Sequence, residues 1–140
     1  FGKARMALEA EASAISAGET AVVITYGMGV YWAQKAAEAF PGQISILDLR
    51  TLAPWDRVEV MAKARKHGRV LVLTEECSSP SFAQSVQGAI AEECFEFLDA
   101  PVQLMGAVNV PAIPLNTTLE QTMLPNADKV VAELKELLEY

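Results

Sequence analysis

Runs of apolar residues that do not alternate with polar ones, spaced a helix apart, constrain this chain more than any other feature. Ala21-Val22-Val23-Ile24-Thr25-Tyr26, the stretch 44–49 and Val70-Leu71-Val72-Leu73 within 69–74 are such runs. A strand wetted on one face alternates. A continuous β-branched run suits a strand covered on both faces. Between the runs lie helical patterns. Residues 30–40 place Ala33, Ala36, Ala37 and Phe40 on one side, with Pro41-Gly42 as the stop. Asp56 caps a helix over 57–67, and Gly68 ends it. Strands alternating with helices pair in parallel through right-handed crossovers. The predicted fold class is therefore α/β, a three-layer α/β/α sandwich.

The remaining elements fit that frame. Ser79 and Pro80 read as N-cap and first helical residue. The helix they open carries Phe82, Val86, Ile90, Cys94 and Leu98 at intervals of four, until Pro101. A fourth strand over 102–105 precedes a connection containing Pro111 and Pro114. Thr117 or Thr118 caps a short helix to Leu124, and Asn126 caps a last one with Val130, Val131, Leu134, Leu137 and Leu138 as its apolar face. The first twenty residues are less determined. Residues 3–8 suit a short edge strand and 7–16 suit a helix stopped by Gly18; together they read as an edge element plus a loop.

Charge excludes some functions. With 11 basic and 18 acidic residues the net charge is -7, so a polyanion would be repelled: neither nucleic acid nor an anionic membrane is an expected partner. No apolar run reaches the roughly 20 residues that span a bilayer. Phe1 follows no initiator Met and opens no signal peptide, which suggests a fragment of a longer chain. Cys77 and Cys94 read as two reduced, buried thiols, fitting the bacterial cytoplasm or an equivalent reducing compartment.

Chemistry-bearing residues are sparse. Gly27-Met28-Gly29 lies between a strand and a helix, with Asp48 about twenty residues on, as in a dinucleotide fold. The third glycine position of that motif holds Trp32, the bulkiest side chain available, so a small dinucleotide-binding module is an alternative reading only. A tight turn is the other reading, with Tyr31 and Trp32 seated in an interface. Asp48 and Arg50 project to one side of a strand end, pairing with each other or with another chain. His67, at a helix end, suits the negative pole of the dipole. Glu75 and Glu76 read as a solvated rim. No nucleophile elbow, zinc spacing or phosphate-binding Lys loop occurs. The acidic residues concentrate at Glu92, Glu93, Glu96 and Asp99, and again at Glu133, Glu136 and Glu139. A non-enzymatic adaptor for a basic peptide is thus a further reading.

Five segments together point further: Gly2-Lys3-Ala4-Arg5, the stretch from Val23 to Ala33, Asp48-Leu49-Arg50-Thr51-Leu52-Ala53-Pro54-Trp55-Asp56, Gly68-Arg69-Val70-Leu71-Val72, and Leu98-Asp99-Ala100-Pro101-Val102. In this order they resemble the C-terminal domain of the transketolase-like superfamily. The nearest likeness is to the beta chain, or fused alpha/beta chain, of the thiamine-diphosphate-dependent decarboxylating component of 2-oxo acid dehydrogenase complexes, pyruvate or branched-chain type. The resemblance implies a single domain over 1–140, with about five mostly parallel strands and one antiparallel edge strand over 3–8. It implies thiamine diphosphate and Mg in the parent enzyme, none held by this domain alone, and no catalytic residue here. It implies assembly with an alpha chain or domain and a second copy of the enzyme, through a surface with Tyr31, Trp32, Asp48, Arg50 and Trp55. It also implies docking of the basic peripheral subunit-binding domain of the acyltransferase at Asp99, Glu136 and the Tyr140 carboxylate.

Overall fold

The computed structural model describes residues 2–10, 20–111 and 115–140. Five strands, Arg5–Leu8 (β1), Ala21–Thr25 (β2), Ile44–Asp48 (β3), Val70–Cys77 (β4) and Gln103–Ala107 (β5), form one sheet in the order β1-β3-β2-β4-β5. The helices are Gly29–Ala37 (α1), Arg57–His67 (α2), Phe82–Glu93 (α3), Thr117–Met123 (α4) and Ala127–Glu139 (α5). β2 pairs in parallel with β3 and β4, and β4 with β5. β1 runs antiparallel along the outside of β3, with Arg5 opposite Asp48. The α/β sandwich and its antiparallel edge strand are as the sequence implied.

Alternate side chains of each central strand leave for opposite faces. Val22, Ile24, Leu47, Val70 and Val72 pack under α2 and α3. Val23, Ile46, Leu71 and Leu73 pack under α1 and α5. Every residue of β2 and β3 is buried. Each fully buried Val, Ile or Leu contributes about 1.5–3 kcal/mol, which makes this double layer the main source of stability.

Several boundaries differ from the sequence reading, each for a local reason. The third helix begins at Phe82 and not at Pro80, because the N-cap is Ser81: its backbone is extended and its Oγ accepts from the Gln84 N–H at 3.0 Å. It stops at Glu93, and Cys94 leads into a 3-10 turn, Phe95–Phe97, so Leu98 is not on the helix. Asn116 caps α4, accepting from the Thr118 and Leu119 N–H groups, where Thr117 or Thr118 had been expected. Residues 7 and 8 belong to β1; the rest of the helix expected over 7–16 lies, beyond Ala10, outside the described residues, as does Gly18. Asp56 caps α2 as expected and also accepts from the Ala4 N–H at 3.1 Å, fastening the chain start to that helix. At the other end of α2, Gly68 has φ of 69°, and a Cβ there would sit 2.5 Å from an Asp99 carboxylate oxygen.

His67 does not serve α2 as a terminal cation. It is 3% exposed and shares a 2.8 Å hydrogen bond between Nδ1 and the Thr20 hydroxyl. Burial, then the neighbouring Lys66 and Lys63 charges, lower its pKa from 6.5 to about 4. The folded protein therefore holds it neutral while the unfolded chain protonates near 6.5. Its contribution to stability is complete above pH 6.5 and is lost as pH falls toward about 4. Urea midpoints should fall between pH 7 and 5.5 for the native sequence, and the slope should flatten in His67→Gln.

Candidate functional site

Open α/β sheets bind ligands beyond the C-terminal ends of their strands. Here that edge carries Tyr26-Gly27-Met28-Gly29 after β2, Asp48 to Arg50 at the end of β3 and Thr74 to Glu76 on β4. The glycines serve packing. A Cβ on Gly29 would lie 2.0 Å from Thr25 Oγ1, whose hydroxyl donates to the Leu73 carbonyl at 2.9 Å. Glycine is thus what lets α1 start against β2 and β4. Trp32 packs on the apolar layer beneath α1 and α5.

Asp48 and Arg50 do come together, although not as neighbours on a strand. β3 ends at Asp48, and Arg50 turns the chain with φ of 63°, a left-handed conformation unusual for a side-chain-bearing residue. Asp48 Oδ1 accepts from the Arg50 backbone N–H at 3.2 Å, and Oδ2 lies 3.4 Å from its guanidinium. The carboxylate braces its own loop, the position at which a dinucleotide fold keeps an acid for ribose. Arg5, Gln34 and Tyr31, which is 66% exposed, join this pair around a cleft of about 460 Å³.

Glu76 is not part of a solvated rim; only Glu75 is exposed. The Tyr26 hydroxyl donates to Glu76 Oε1, which also takes the Ala83 N–H at 3.4 Å, and the Thr74 hydroxyl donates to Tyr26 at 3.0 Å. The ends of β2 and β4 and the start of α3 are thereby joined. Burial, then the Glu76 hydrogen bond, push the Tyr26 phenol far above its ordinary value, so it stays a donor. Phe82 stands edge-on to both Tyr26 and Trp55, extending the cluster. Trp32 and Trp55 therefore lie against opposite faces of the sheet, while Tyr31 projects from its end.

A second concavity, of about 550 Å³, lies where β5 begins, at the starting ends of the strands. Phe95, Leu98, Pro101 and Ala91 give it an apolar floor, and Asp99 and Tyr140 line it as well. Phe95 and Phe97 are 77% and 52% exposed. Asp99 is also tied to Arg69, 3.3 Å from its guanidinium. Glu136 is exposed one turn before Tyr140. Glu133 has its pKa raised, by burial first and then by the Glu136 charge. The sequence reading found the acids and missed the rings between them, although two phenylalanines among Glu92, Glu93 and Glu96 were a visible signal. Among the described residues no three His, Cys, Asp or Glu side chains gather as a metal site, and no helix is long and apolar enough to cross a membrane. Both cysteines are free; Cys94 is buried and Cys77 half-buried.

This architecture is shared with known proteins. The profile of the transketolase C-terminal domain matches residues 10–130. The chain belongs to the transketolase C-terminal domain family. The 2-oxoisovalerate dehydrogenase subunit beta of Bacillus subtilis is 36% identical over 126 residues, 88% of this chain and 38% of that protein. The pyruvate dehydrogenase E1 component subunit beta of Rhizobium meliloti is 31% identical over 121 residues, 84% of this chain and 26% of that protein. The chain thus spans less than half the length of these relatives. A solved split-gene transketolase, an inactive beta4 tetramer, shares the fold with a TM-score of 0.74 at 23% identity, over 99% of this chain and 43% of that one.

Tyr26→Phe would leave Glu76 with one protein donor fewer. Hydrogen bonds to a charged group contribute about 1.5–3 kcal/mol. Urea unfolding should show a loss of that order, with the fold retained.

Proposed function

We propose that this chain is the C-terminal domain of the beta chain, or beta portion, of a thiamine-diphosphate-dependent 2-oxo acid dehydrogenase decarboxylating component. In this reading it serves assembly and docking and leaves the chemistry to other domains of a longer protein. The observation that carries the reading is the likeness to beta subunits of two such dehydrogenases along most of this chain.

The carboxylates at the strand ends support the division of labour. Asp48 is braced by Arg50, and Glu76 accepts from Tyr26 and Ala83. A magnesium diphosphate needs several oxygen ligands converging on one ion, and among the described residues no three His, Cys, Asp or Glu side chains gather. Thiamine diphosphate and Mg accordingly belong to the absent domains. The exposed Tyr31, with Arg5 and Arg50 beside it, forms the face toward the alpha chain and the second copy of the enzyme. The groove of Phe95, Leu98 and Pro101 takes the peripheral subunit-binding domain of the acyltransferase, an apolar contact rimmed by Asp99 and the Tyr140 end. Net charge of -7 steers a basic partner there. The free cysteines suit a reducing compartment such as the bacterial cytoplasm.

Calorimetry of this protein with a purified peripheral subunit-binding domain tests the docking. Phe95→Ala and Asp99→Asn should each weaken binding about tenfold or more, the cost typical of an apolar anchor or a charge-assisted contact. Tyr31→Ala should leave it unchanged. Equal affinity for all variants, or a loss only in Tyr31→Ala, would overturn this placement.

A further inference from the structure

Helix α4 buries none of its seven residues. Leu115 just before it is wholly exposed, and Leu119 within it is 50% exposed. A helix this short does not hold its own shape in water, so something outside it must fix it. Asn116 closes its start. At its other end two attachments are present: the Val108 N–H, leaving β5, donates to the Met123 carbonyl at 2.9 Å, and Lys129 reaches over from α5.

The Lys129 contact is complete. Its ammonium lies 3.2 Å from the Gln121 carbonyl oxygen, 2.8 Å from that of Thr122 and 2.7 Å from that of Leu124. An ammonium has three N–H donors, so each meets one main-chain acceptor. These carbonyls lie at the α4 C-terminus, where free acceptors and the negative pole of the helix favour a cation. Lys129 itself sits in the first turn of α5, the positive pole of its own helix. A cation is disfavoured there, and among the described residues no carboxylate pairs with it. Its backbone N–H is already taken by the Asn126 cap at 2.9 Å. The charge makes physical sense only toward the preceding helix.

We propose that the Lys129 ammonium is a latch holding α4 onto the sandwich, and that α4 opens as a separate flap when that charge is removed. The two-layer core does not need the latch, because it buries no part of α4. Opening would free the three carbonyls and swing the segment with Leu115 and Leu119 away from β5. Arginine is a poor substitute, since its flat fork cannot aim three donors at one small ring of carbonyls. Methionine keeps the length and loses every donor.

Hydrogen exchange on the full-length protein carrying this chain tests the proposal. In Lys129→Met, amides of 118–124 should exchange at least about tenfold faster, the effect of losing one charge-assisted hydrogen bond. Those of β2 and β4 should keep their native rates. Lys129→Arg should fall between the two. Unchanged exchange over 118–124 in Lys129→Met would overturn the latch. An equal rise in α4 and in β2 and β4, or failure of the variant to fold, would overturn the separateness of the flap.

Discussion

Burial of β2 and β3 on both faces is the constraint from which the rest of this molecule follows. A strand with no wet face needs a helical layer on each side, and parallel neighbours need crossovers to reach one another. α1 and α5 cover one face, α2 and α3 the other. That arrangement puts all turns leading into helices α1, α2 and α3 at one end of the sheet. The polar residues that could do chemistry are therefore gathered there whether or not chemistry is done. What decides the matter is how they are satisfied. Asp48, Glu76, Thr74 and Tyr26 all bond to protein groups. Where donors and acceptors occupy one another in this way, the ends of β2, β4 and the start of α3 are tied together.

The opposite end of the sheet has a different character. There α3 gives way to a 3-10 turn, Phe95–Phe97, whose two phenylalanines reach solvent. Exposed rings beside Glu92, Glu93 and Asp99 combine apolar area with negative charge. Each alone is ordinary on a protein surface. Phe95 and Asp99 meet in one groove, beside Tyr140 at the end of α5, and that distinguishes this end.

The fold was largely legible because its signals are local and repeated. Val70 to Leu73 allows no amphipathic strand, and the Asp56 and Asn126 caps were found because an N-cap acts within three residues. Errors arose where two candidates lay within one turn. Ser79 and Ser81 both carry the hydroxyl a cap needs, and only the backbone path shows that Ser81 is the extended residue next to the helix. His67 was misread for a different reason. A helix-terminal position says where its dipole points, but its burial and the Thr20 contact depend on how a distant segment packs against α2. Glu76 was likewise invisible as a partner of Tyr26, fifty residues away and on a different strand.

The order of residues by itself determined the layers, the parallel sheet and its helices, since hydrophobic period and capping operate over a few residues. It also set the net charge of -7. Tertiary structure alone decided which carboxylates are occupied, which aromatic rings reach solvent and which cation closes which helix. Those outcomes rest on contacts between segments far apart in the chain, whose geometry exists only once the sheet has brought them together.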